Sequence, residues 1–156
     1  MSQKPLSPEE VVIRPFRRSD EAAARRLILD GLRERWGELD EAKNPDLDDI
    51  ANSYADGRFL VACLRDEVIG TGALILEAAG VGRIVRMSVA RSRRREGVGT
   101  RMLEALLEEA RAGGYRRVVL ETTATWEDAI AFYRWHGFRR VAVRDGDAHF
   151  VRELSA

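Results

Sequence analysis

Apolar residues Met102, Leu103, Leu106, Leu107 and Ala110 recur every three or four positions across Val98–Ala112, which predicts an amphipathic helix halted by Gly113 and Gly114. A second helix is predicted over residues 21–34, where Ala24, Leu27, Ile28 and Leu32 share a face and Asp20 can cap the start. Asp46 can cap a short helix to about Tyr54, after a polar, irregular stretch over residues 36–45. A fourth helix is expected over residues 127–136, ended by Gly137. Strands are predicted over residues 11–16, 58–65, 68–77, 82–89, 117–122, 138–144 and 149–154. Turn residues Asp66-Glu67, the small run 78–82 and Asp145-Gly146 separate the strands that follow one another directly, so the first half of the chain is expected to build antiparallel sheet.

At 156 residues the chain fits one domain, read as residues 11–156 behind a flexible tail over residues 1–10. Lys plus Arg number 26 and Asp plus Glu number 26, so no global field favours nucleic acid or an anionic membrane. The single cysteine, Cys63, sits in an apolar run and is expected as a small buried hydrophobe. No run is long enough to span a bilayer, which makes the cytoplasm the default expectation. His136 and His149 have no partners at ligand spacing; structural roles are expected for both, and no metal site.

The chemistry concentrates between the strand ending at Val89 and the helix starting at Val98. A helix start presents unpaired backbone N–H groups and a positive dipole end, while Gly97 and Gly99 let the backbone approach a ligand closely. Arg91, Arg93, Arg94 and Arg95 add four cations within five positions. A backbone cradle for an anion is therefore predicted over Arg94, Arg95, Glu96, Gly97, Val98, Gly99 and Thr100. A dinucleotide fingerprint is excluded because its third small residue would fall on Met102, and a P-loop because no Gly-Lys-Ser/Thr ending exists.

Arg94, Gly97 and Gly99 at this strand-to-helix turn resemble the pyrophosphate motif, Gln/Arg-x-x-Gly-x-Gly/Ala, of the GNAT superfamily of N-acetyltransferases. Ala129, Tyr133 and Gly137-Phe138 resemble that family's Ala-x-x-x-Tyr-x-x-x-Gly-Phe signature. The resemblance implies an α/β (α+β type) domain: a mixed sheet of about six or seven strands, four flanking helices, and a gap where strands 4 and 5 splay apart. It implies acetyl-CoA as cosubstrate without a metal, with the pyrophosphate on the cradle and pantetheine along Met87, Ser88 and Val89. Ala129, Phe132 and Tyr133 would flank the pantetheine and thiol.

Acetyl transfer needs a neutral amine, a donor for the developing oxyanion and an acid for the departing thiolate. A backbone N–H near Met87, Ser88 or Val89 would serve the oxyanion. Tyr133 is the candidate acid, since a phenol of pKa about 10 can protonate a thiolate of pKa about 8.5; core packing on the stripe Ala129, Phe132, Tyr133 and His136 is the alternative. Arg83 stands where many relatives carry a glutamate, so Glu121 is the substitute candidate base, against the alternative that it pairs with an arginine; Glu77 is a weaker one. Trp126 replaces a common asparagine and is expected to pack. The acids Glu34, Glu38, Asp40, Glu41, Asp46, Asp48 and Asp49 suggest a cationic acceptor, either a small amine or a peptide. A catalytically silent acyl-CoA-binding module is the rival reading, and the edge of the closing hairpin could pair two subunits.

Overall fold

In the computed structural model, which describes residues 10–37 and 43–154, the chain begins with strand β1 (Val11–Pro15) and helix α1 (Glu21–Trp36). The short helix α2 (Ile50–Ser53) then leads into three consecutive strands, β2 (Arg58–Leu64), β3 (Glu67–Ala78) and β4 (Val81–Val89). Helix α3 (Val98–Ala112), strand β5 (Arg117–Thr123), helix α4 (Glu127–Trp135) and the hairpin of β6 (Arg139–Arg144) and β7 (Asp147–Glu153) complete the domain. The tail expected over residues 1–10 lies, apart from Glu10, outside the described residues, as do Glu38, Asp40 and Glu41.

One seven-stranded mixed sheet runs in the order β1-β2-β3-β4-β5-β7-β6, antiparallel at every junction except β4–β5. Both faces of its first half are covered, which is why β2 is buried continuously from Phe59 to Cys63. Phe59, Val61 and Cys63 meet Ala24, Ile28 and Leu29 of α1 on one side. Leu60 and Ala62 meet the α3 stripe Met102, Leu103 and Leu106 on the other, where Val118, Leu120 and Phe150 extend the core. Cys63 is buried as expected, and burial pushes its thiol pKa up.

The two aspartates expected to cap helices do other work. Asp20 makes no side-chain cap to α1; its carboxylate accepts from the Arg14 guanidinium at 2.8 and 2.9 Å and from the Arg17 backbone N–H at 2.8 Å. Asp46 lies in a 3₁₀ turn (Pro45–Asp48), and Asp49 caps α2 instead, accepting from Asn52 N–H at 3.2 Å. In both cases a guanidinium offers a carboxylate stronger, charge-assisted partners than a helix amide does.

Parallel pairing of β4 with β5 covers only Val81, Gly82 and Arg83 against Arg117, Val118 and Val119. Beyond that point the strands part. β4 carries a bulge there: its register against β3 jumps from Thr71↔Ser88 to Ala73↔Val85, and Arg86 sits at φ 57°. The buried Thr71 hydroxyl donates to the Arg86 carbonyl at 2.8 Å, fixing the kink from the neighbouring strand. The edge of β4 beyond Arg83 is thus left open on the β5 side.

Candidate active site

The divergence of β4 and β5 opens a cleft of about 620 Å³. All the sequence-predicted binding residues except Glu96 line it: Met87, Ser88 and Val89 on β4, Arg94, Arg95, Gly97, Val98, Gly99 and Thr100 at the turn, and Ala129, Phe132 and Tyr133 on α4. Glu96 belongs to the same turn, with its carboxylate 3.8 Å from Arg93 and one oxygen buried without a hydrogen-bond partner.

The turn has the shape the sequence requires of an anion cradle. Arg95 (φ 66°) and Gly97 (φ 85°) are both left-handed, so the backbone winds back toward the start of α3. Gly97 is the N-cap and has no side chain to cap the first amides, which remain available to an external acceptor. A Cβ on Gly99 would lie 3.5 Å from the Phe132 ring, in the space between α3 and the α4 wall. These donors fit a pyrophosphate group.

Tyr133 is 9% exposed and packs edge-on against Phe132 and Phe138 at ring separations of 5.2 and 5.8 Å. Its hydroxyl has no hydrogen-bond partner among the described residues, and burial holds the phenol above its ordinary pKa. The residue is therefore part of the core and also borders the cleft, so the two roles weighed for it are compatible. His136 supports the same wall, with Nε2 3.1 Å from the Thr100 hydroxyl and its ring 4.7 Å from Phe132.

Glu121 lines the cleft on β5, and its carboxylate is already engaged: Arg83 Nη1 lies at 3.1 Å and His149 Nδ1 at 3.5 Å. Arg83 also donates to Glu77 at 2.7 and 3.1 Å, so a charged row crosses β3, β4, β5 and β7. Glu77 keeps its carboxyl below the usual range through this contact.

Of the acids expected to favour a cationic acceptor, Asp46, Asp48 and Asp49 each lie against an arginine. Asp46 accepts from Arg86 at 2.6 and 2.9 Å and from the Tyr54 hydroxyl; Asp48 lies 3.8 Å from Arg25, and Asp49 3.9 Å from Arg18. Burial pushes Asp46 up, but the Arg86 and Tyr54 donors outweigh it and its pKa falls below the ordinary value, while that of Tyr54 rises to about 12 through burial and the adjacent carboxylate. Arg86 itself lines the cleft, a position the sequence did not suggest.

A further group missed from sequence is the end of α1. Arg35 donates to both oxygens of Asp128 at 2.8 and 2.7 Å and lies 4.6 Å above the Trp126 ring, which also meets Trp36 at 5.3 Å. Trp126 packs, as expected, and does so at the rim of the cleft. Among the described residues no cluster of His, Cys, Asp or Glu is placed to hold a metal, and no helix is long and apolar enough to cross a membrane.

A model of the acetyltransferase (GNAT) family, whose members are acetyl-transferring enzymes, matches residues 22–138 of the chain. The chain belongs to that family. It is 35% identical over 113 residues to an IAA acetyltransferase of Azospirillum brasilense, covering 71% of this chain and 74% of that one. Against N-acetyltransferase 8F1 of Rattus norvegicus it is 34% identical over 106 residues, 64% of this chain but 48% of the relative, so the chain spans about half the length of such vertebrate relatives. The fold matches a GNAT-family acetyltransferase of Staphylococcus aureus with a TM-score of 0.85 at 21% identity, over 93% of this chain and 99% of that one. It also matches the PaiA N-acetyltransferase of Thermoplasma acidophilum, solved in complex with coenzyme A, with a TM-score of 0.80 at 14% identity, over 92% and 99% of the two chains.

Proposed function

We propose that the protein transfers the acetyl group of acetyl-CoA to a primary amine by direct attack within a ternary complex. One observation carries this reading: the uncapped N-terminus of α3, the open edge of β4 and Tyr133 of α4 meet around one cleft. The coenzyme A in the PaiA complex supports the choice of donor.

Acetyl-CoA supplies a thioester-activated acetyl group. The amides at the start of α3, with Arg94 and Arg95, hold its pyrophosphate, while Met87, Ser88 and Val89 border the pantetheine arm and Ala129 and Phe132 face it from α4. A backbone N–H of that β4 segment donates to the carbonyl oxygen as negative charge gathers there. Tyr133 donates its phenolic proton to the departing sulfur. Glu121, whose carboxylate lies 3.5 Å from His149 Nδ1, receives the proton of the incoming amine.

The acceptor in this reading is a small cationic amine. Because Asp46, Asp48, Asp49 and Glu121 are each matched by an arginine, its recognition falls to Asp147, on the β5–β7 side of the cleft. Thiol release from acetyl-CoA across polyamines, amino acids, aminoglycosides and peptides tests the whole proposal. Turnover with a polyamine-like or aminoglycoside acceptor is expected; CoA binding without turnover on any acceptor would favour a silent acyl-CoA-binding module.

A further inference from the structure

One cation of the cradle that lines the cleft, Arg94, is already occupied. Arg94 donates from Nη1 and Nη2 to the two carboxylate oxygens of Glu34 at 2.6 and 2.8 Å, closing a fork-to-fork pair between the cradle and the last turns of α1. Both side chains remain partly exposed, at 42% and 35%, so an incoming anion can reach the pair.

The two partners differ in freedom. Glu34 belongs to a helix end fastened to the opposite wall through Arg35 on Asp128 and Trp36 on Trp126. The same helix lies close on β4, where a Cβ at Gly31 would stand 3.2 Å from the Ser88 hydroxyl. Arg94 projects from a turn, and apart from Glu34 its only described hydrogen bond is a long one, 3.4 Å, from Nε to the Val89 carbonyl. The guanidinium is thus the movable half and the carboxylate the anchored half.

We propose that Glu34 is a built-in competitor for the donor's pyrophosphate: it holds Arg94 across the mouth of the cleft and yields it when the cofactor binds. This rests on the coenzyme A reading of the cradle. A carboxylate and a pyrophosphate each offer two oxygens to the guanidinium fork, but the pyrophosphate carries more charge and also meets the α3 amides, so it wins the exchange. The surrounding charges keep the carboxylate ionised: Arg94 foremost, then Arg91 and Arg35, all lower its pKa, while Asp128 adds to the field on Arg94. Glu34 thereby restrains donor affinity and couples the donor site to α1, which carries Ile28, Gly31 and Leu32 into the far side of the same cleft.

Calorimetric titration of the protein with CoA at low salt tests this with Glu34→Gln, Glu34→Ala, Arg94→Ala and the Glu34→Gln/Arg94→Ala double variant. Both Glu34 variants should bind CoA about three- to fivefold more tightly, the scale of one well-formed, part-exposed ion pair. In the Arg94→Ala background the Glu34→Gln gain should vanish. If Arg94→Ala weakens binding while both Glu34 variants bind like the parent or more weakly, the exchange is wrong and the cradle assignment stands. If Arg94→Ala binds CoA like the parent, Arg94 does not meet the pyrophosphate, and that part of the cradle assignment falls together with the exchange.

Discussion

Replacing Tyr133 by Phe removes one hydroxyl and little else. The ring is 9% exposed among Phe132, Phe138 and Phe150, and its oxygen has no hydrogen-bond partner among the described residues. The variant should therefore keep its thermal midpoint, with a folding change within about 1 kcal/mol, and keep its CoA affinity within about twofold. Loss of a proton donor to the leaving thiolate is a different matter: general acid catalysis contributes roughly 10²- to 10⁴-fold, so kcat should fall at least about a hundredfold, or about 2.7 kcal/mol of barrier. Because burial raises the phenol's pKa, the hydroxyl stays protonated well into alkaline solution, and the parent should show no alkaline loss of kcat from this group below about pH 10. Thiol release at saturating acceptor, alongside calorimetric CoA binding and a melting curve, separates chemistry from packing. A Tyr133→Phe enzyme with kcat within about threefold of the parent would refute the acid assignment.

Two predictions concern the scaffold. Arg14 holds the Asp20 carboxyl below its ordinary pKa of 3.8, against the opposing effect of burial and with help from the Arg17 N–H. A depressed folded value means that the stabilisation is complete above about pH 4 to 5 and is lost as pH falls through that folded value, so urea midpoints should decline on acidification. Asp20→Asn should cost about 1 to 3 kcal/mol at pH 7 and flatten that acid limb; an unchanged limb would contradict the reading. Gly72→Ala would set a Cβ 2.8 to 2.9 Å from Leu106, Met102 and the Met87 sulfur, beside the bulge that opens the cleft. Overpacking of this kind should cost about 1 to 3 kcal/mol by chemical denaturation, and a variant as stable as the parent would show that β3 and α3 can move apart there.

What could be read from the sequence was local. The α3 stripe is strong and bounded by glycines on both sides, and its predicted limits, Val98–Ala112, are those observed. The strand-to-helix turn that lines the cleft was legible for the same reason, since a strand end, a basic turn and a helix start follow one another within a dozen residues. Asp20 and Asp46 misled because an aspartate ahead of an apolar run signals a cap, whereas their decisive partners, Arg14 and Arg86, lie six and forty positions away. The β4 bulge was hidden too: alternation in a strand does not mark where register slips, and the Thr71 hydroxyl that stabilises it sits on another strand. Contacts such as Arg35 with Asp128, 93 positions apart, arise only when the sheet brings α1 and α4 to the two sides of one cleft.

The central claim is that coenzyme A lies between β4 and β5 with its pyrophosphate on the start of α3. Hydrogen–deuterium exchange of the full chain with and without CoA tests it most directly. New protection is expected at the amides of residues 97–100, accompanied by residues 87–89, with the outer strands β1 and β6 unchanged. Saturating CoA that leaves those two segments exchanging as before would contradict it.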